Sequence, residues 1–196
     1  MWSLTFFKHF DYDDITELIE GAKSHKELRG DELIELYSKA EGDSELSKNQ
    51  EYKESVLVGL QNEHYYLEES VELTLRLAIV ALYIKMELRI KAICRLAFPE
   101  LNVAALYRVH DLTNKLEQQG VNIKALASYA SFDEARCINN DIKHGGCVSD
   151  KLAKYSGWSL GEELKDISDV YSRLAPGCAS FISELVDAIM KNNNEV

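Results

Sequence analysis

Residues 67–93 read LEESVELTLRLAIVALYIKMELRIKAI, with no Pro or Gly in the stretch. Leu67, Val71, Leu75, Ala78, Leu82, Met86, Ile90 and Ile93 recur at spacings of three and four, the period of one helix face. Leu73, Leu77, Val80, Ile84 and Leu88 form a second stripe on another side. A helix apolar on two faces is expected to be central in a bundle or to sit in an oligomer interface. Arg76, Lys85, Glu87, Arg89 and Lys91 interrupt the run, so the sequence predicts no membrane span here.

Outward from this stripe the helical pattern continues. From 47 to 97 no Pro occurs and the single Gly is Gly59, where a break over 59–62 would split the segment. Phe98-Pro99 ends it. Asn102 is placed to cap a helix reaching Gln119, with Gly120 at the position beyond its end. Ser131-x-x-Glu134 reads as a capping box that starts a helix at Phe132, and Gly145-Gly146 stops it. Tyr155 and Trp158, in the following loop, are expected to pack on its flank. Ser159-x-x-Glu162 reads as a second capping box, for a helix through Leu174. Pro176-Gly177 predicts a break before a last helix over 179–191. Towards the N-terminus, 15–22 and 32–40 read as two short helices. The expected organisation is a helical extension over 1–43, an antiparallel all-α bundle over 44–191 and a frayed tail over 192–196.

Composition narrows the function. The chain has 196 residues, enough for a real hydrophobic core. With 22 basic and 33 acidic residues its net charge is −11, which disfavours broad coating of nucleic acid while leaving room for a local basic groove. Cys94, Cys137, Cys147 and Cys178 form no CxxC pair, and no HExxH occurs. The expectation is therefore no metal and no cofactor. The apolar start, Trp2 to Phe7, lacks a basic leader and is followed by acidic residues, so no signal peptide is predicted. Free thiols and the lack of an export signal point to the cytoplasm.

The chemistry concentrates at the end of the 132–144 helix, Asn139-Asn140-Asp141-Ile142-Lys143-His144-Gly145-Gly146. Arg136, Asn140 and His144 are spaced i, i+4, i+8 and share one edge, flanked by Lys143. Basic, amide and imidazole groups in a row can hold a phosphate, and His144 can transfer a proton near neutral pH. The same residues also suit a plain helix end, where cations complement the dipole. Glu87 has Lys91 one turn on: it is either an i,i+4 pair or a group that orients Lys143 or His144.

On its Asn-Asp-x-Lys-His-Gly segment, and on the helix pattern over 65–190, the chain resembles the HEPN superfamily of helical domains. The resemblance implies a HEPN-like bundle that works as a homodimer. In that family an Arg is followed after four to six residues by a His, and members with this motif are metal-independent ribonucleases. The His works near the 2′-oxygen or the leaving group, the Arg stabilises phosphate charge, and two protomers bring their motifs together. Such enzymes serve toxin–antitoxin and anti-phage systems; other members bind ligands or partners without catalysis. Carried over, the resemblance assigns His144, Arg136 and Asn140 to catalysis, Lys143, Asn139 and Asp141 to substrate binding, and Glu87 to support. The chain departs from the motif: Asn139 stands five before the His, and seven residues separate Arg136 from His144. Gly146 replaces a Tyr found in one subfamily. Two functions follow as expectations. One is a non-catalytic defence or toxin–antitoxin interaction module, paired with itself or with the product of a neighbouring gene. The other is a ribonuclease acting on RNA through His144 and Arg136 across a dimer cleft.

Overall fold

The computed structural model describes residues 2–106 and 108–194. The fold is an all-α bundle, with six α-helices among the described residues: α1 (Trp2–Phe6), α2 (Asp13–Gly42), α3 (Gln50–Ala97), α4 (Val109–Gln118), α5 (Tyr129–Lys143) and α6 (Ile167–Asn194). Short 3₁₀ turns at Leu46–Lys48, Val103–Ala105, Ile123–Ala125 and Leu152–Lys154 punctuate the connections. The chain divides into two compact units, Asp14–Ala78 and Met1–Asp13 with Ile79–Val196, so α3 contributes to both. No helix among the described residues is long and apolar enough to cross a membrane.

In the Asp14–Ala78 unit, α2 and α3 run antiparallel. Lys26 pairs with Glu68 at 2.7 Å, Arg29 donates to Glu63 at 2.9 Å and Gln61 donates to Tyr37 at 3.2 Å, so rising numbers on α2 meet falling numbers on α3. Ile15, Ile19, Leu33 and Ala40 of α2 are buried, as are Leu67, Val71 and Leu75 of α3. Two expectations are corrected here. Residues 15–40 form one helix rather than two, and α3 is unbroken at Gly59. Gly carries a helix penalty of only about 1 kcal/mol, which the packing of long helices outweighs. Gly30 is in fact buried against α3, with its Cβ position 4.0 Å from His64 Cε1.

In the larger unit the core is built around α5 and α6. Phe132 and Phe181 stack at 4.5 Å with ring planes 5° apart. From α3, Ile79, Leu82, Met86, Ile90 and Ile93 are buried, and from α4, Leu112 and Leu116. The first stripe of the 67–93 stretch is thus buried along its whole length.

Three local readings are overturned by longer-range packing. Pro176 lies inside α6, which does not break there. Leu174, Ala175, Cys178, Phe181 and Ile182 are all buried, and that burial offsets one missing N–H. Gly177 is required by close approach: an added Cβ would run into the Ser131 hydroxyl and lie 2.7 Å from Ser131 Cβ. Ser159-x-x-Glu162 starts no helix. Gly157 and Gly161, at φ +94° and +79°, turn the chain so that Cys147 and Glu163 form a bridge instead, and α6 begins at Ile167. Asn102 caps only the 3₁₀ turn, accepting from Ala104 N, and α4 starts later. Gly120 does adopt the left-handed conformation (φ +80°) beyond α4. Asn192 donates to Gln119 O at 2.8 Å; of the expected tail 192–196, Glu195 and Val196 lie outside the described residues.

Candidate functional site

Helix α5 begins three residues before the expected start. Its entry is held by Glu184 of α6, which accepts from Ser128 N at 2.9 Å and Ser128 Oγ at 2.7 Å. This carboxylate takes up donors that an N-terminal helix turn leaves free. The helix ends as the sequence suggests. His144 is the C-cap, donating its N–H to Asn140 O and Asp141 O, and Gly145 and Gly146 take φ +120° and +73°.

The polar residues of α5 divide into two groups. Asp133, Glu134 and Asp141 fasten the 147–166 segment to the helix. Asp133 accepts from Tyr155 Oη at 2.7 Å, and Asp141 accepts from Ser149 N at 2.9 Å. Glu134, 4% exposed, takes Trp158 Nε1 at 2.8 Å and both terminal nitrogens of Arg173 at 2.7 and 2.9 Å. A buried carboxylate is tolerable only with such a full set of donors. Tyr155 and Trp158 therefore flank α5 through hydrogen bonds to its carboxylates. Lys143 and His144 form the second group, exposed at the helix end where positive charge complements the dipole.

Arg136 belongs with the fastening group. Its side chain is mostly buried and bonds to Asp133 Oδ1 through Nε and Nη2, both at 2.8 Å, while Nη2 also reaches Cys137 Sγ at 3.2 Å. Burial works against the guanidinium charge, but Asp133 more than offsets it and holds the Arg136 pKa above its ordinary value. The partner lies three residues towards the N-terminus, so Arg136 reaches away from His144. His144 lies eight positions further along, about 12 Å of helix rise away. Asn140 is half-buried between them. Asn139 is 1% exposed; its Oδ1 has no hydrogen-bond partner and its Nδ2 lies 3.5 Å from Asn140 Oδ1. Glu87 is half-buried and ion-paired with Lys91, beside Tyr83, whose hydroxyl is pushed up to about 12 by burial and then by the Glu87 charge.

Neither Asp133 nor Arg173 stands out in the sequence, where Glu134 has the position of a capping residue. The available signal was two adjacent acidic residues inside an otherwise apolar helix stripe. A cleft of about 370 Å³ opens beside this network, lined by Trp158, Glu162, Lys165, Asp166, Asp169 and Arg173 among others. None of Arg136, Asn139, Asn140, Asp141, Lys143, His144 and Glu87 lines it. Among the described residues no group of three or more His, Cys, Asp or Glu is arranged to hold a metal ion. No family model, curated protein or solved structure matches the chain.

Proposed function

We propose that the chain is a HEPN-like, non-catalytic interaction module of a bacterial defence or toxin–antitoxin system, cytoplasmic and homodimeric. It would act on a partner protein, such as the product of a neighbouring gene. The observation that carries this reading is the direction of Arg136. A ribonuclease motif needs its guanidinium free to meet phosphate charge beside the histidine. Here it is tied to Asp133 and reaches the other way. Asp141 is likewise engaged with the backbone of the following loop, and Asn139 is buried.

The alternative is a metal-independent ribonuclease, with RNA held between His144 and Arg136 of two protomers. It is supported by the exposure of His144 and Lys143 side by side at the helix end. Expression in a bacterial host separates the two readings. The interaction reading expects growth unchanged by wild-type protein. Growth arrest that His144→Ala abolishes would contradict it.

A further inference from the structure

The net charge of −11 is unevenly shared. Of the 33 acidic and 22 basic residues, 16 and 7 lie in the Asp14–Ala78 unit, which therefore carries −9 of it. Within that unit α2 and α3 leave a groove of about 500 Å³ between them, lined by Leu33, Ile34, Tyr37, Leu60 and Tyr65 among others. Ile34 and Tyr65 are 60% and 59% exposed, so two of its large apolar side chains are uncovered.

Acidic residues continue both walls of the groove. On α2, Glu27, Asp31, Ile34, Ser38 and Glu41 follow at alternating spacings of four and three, one helix row that includes the groove residues Ile34 and Ser38. On α3, Glu54, Val58, Gln61, Tyr65, Glu68 and Glu72 do the same, with Gln61, Tyr65 and Glu68 in the groove. All of these residues are exposed, and neither row holds a Lys or Arg. Lys26 reaches Glu68 and Arg76 reaches Glu72, but Glu27, Asp31, Glu41 and Glu54 are in no ion pair among the described residues. The antiparallel register puts carboxylates at both ends. Lys26 meets Glu68, so Glu27, Asp31, Glu68 and Glu72 share one end; Lys53 donates to Glu41 O, so Glu41 and Glu54 share the other.

An apolar groove between two groups of carboxylates fits one kind of occupant. An amphipathic helix can seat a large apolar side chain against Ile34, Tyr37 and Tyr65, while Lys or Arg residues to each side of it meet the acids. From Glu27 to Glu41 the groove wall runs about 21 Å, the length of about four helical turns. The same charge repels nucleic acid and anionic membrane surfaces. A second copy seated face to face would set carboxylate rows on carboxylate rows. We infer that the α2–α3 groove binds a basic amphipathic helix of a partner protein. This rests on the partner-binding reading of the proposed function and supplies the chemistry of the partner.

Fluorescence anisotropy of the full chain with labelled probe peptides of about 18 residues, long enough to span the groove, tests it. One peptide carries Leu and Lys at helical spacing, a second has Ser in place of Leu, and a third has Glu in place of Lys. The Leu–Lys peptide is expected to bind at least about tenfold more tightly than either control. Ile34→Ser and Tyr65→Ser, at exposed positions, should each weaken it by about tenfold, as loss of an interface anchor does. Asp31→Asn with Glu41→Gln should weaken it and reduce its salt dependence, whereas Asp150→Asn with Glu162→Gln, the same charge change in the other unit, should not. Far-UV circular dichroism checks the fold of each variant. Equal binding of the Ser–Lys peptide would reduce the effect to bulk charge and overturn the groove. Binding unchanged by Ile34→Ser and Tyr65→Ser would overturn this site and leave the partner-binding reading standing. A Leu–Lys peptide that does not bind would overturn the basic partner. Self-association of the chain that Ile34→Ser abolishes would put a second copy in the groove and overturn it as well. Growth arrest that depends on His144 would contradict the partner-binding reading itself.

Discussion

Gly177→Ala should destabilise the protein, although Ala is the better helix former. Gly177 lies inside α6, so the substitution recovers helix propensity of about 1 kcal/mol. Against this, the new Cβ would lie 2.7 Å from Ser131 Cβ on α5. The Ser131 hydroxyl can rotate aside, but its Cβ moves only with the α5 backbone. Shifting α5 from α6 would open the Phe132–Phe181 stack, held at 4.5 Å, and disturb the bonds that Arg173 donates to Glu134. Overpacking costs about 1–3 kcal/mol, and a carbon–carbon approach of 2.7 Å puts this case in the upper part of that range, about 2–3 kcal/mol. The net loss is then about 1–2 kcal/mol, or roughly 2–8 °C in Tm for a chain of this size. Urea and thermal unfolding followed by far-UV circular dichroism measure it. Gly59→Ala serves as the control: nothing lies within 4 Å of its Cβ position in α3, so it should gain about 0.5–1 kcal/mol. Ser131→Gly, which removes the opposing Cβ, should recover part of the loss when combined with Gly177→Ala. A Gly177→Ala protein as stable as the wild type would refute the close helix approach.

Further substitutions and conditions separate structural roles from chemical ones. Arg136→Ala leaves the half-buried Asp133 carboxylate with Tyr155 as its remaining hydrogen-bond donor and should cost about 2 kcal/mol, whereas His144→Ala, at an exposed position, should change stability by no more than about 0.5 kcal/mol. Asn139→Leu replaces a buried amide whose Oδ1 is unpaired and should be neutral or stabilising by about 1 kcal/mol in denaturant unfolding. Burial pushes the Cys94 and Cys178 thiols up to about 12 from an ordinary 9, so a thiol reagent at mildly alkaline pH should modify exposed Cys147 quickly and those two slowly until the chain unfolds. Above pH 9 the unfolded chain loses these protons while the folded chain keeps them. Their stabilising contribution is therefore full below pH 9 and is lost as pH rises towards about 12, with Tyr83 adding to the loss from pH 10. The urea midpoint should fall across that window.

Periodicity made the central helix legible. All eight positions of the first stripe are buried, and the second stripe was visible as a face in need of a partner. Punctuation was less reliable. Pro176-Gly177 looks like a stop, yet the glycine sits where α5 crosses α6 closely, and only the three-dimensional packing shows which of the two it is. Ser159-x-x-Glu162 has the letters of a cap, but the positive φ of Gly157 and Gly161 sends the backbone into a bridge with Cys147. At the candidate site, the row from Arg136 to His144 was read from spacing alone. Spacing fixes a shared helix edge but not the direction of a side chain. Arg136 is turned by Asp133 next to it, while Tyr155, Trp158 and Arg173, which complete the network, arrive from 20 to 40 residues further along the chain.

The claim that α5 is built for fastening and interaction rather than for cleavage is tested most directly on RNA. Purified wild-type protein, Arg136→Ala and His144→Ala are each incubated with a mixed single-stranded and hairpin RNA pool in the presence of a metal chelator, and the RNA is resolved on a denaturing gel. The account predicts intact RNA in every lane, with Arg136→Ala distinguished by its lower unfolding temperature alone. Cleavage by the wild type that both substitutions abolish would contradict it.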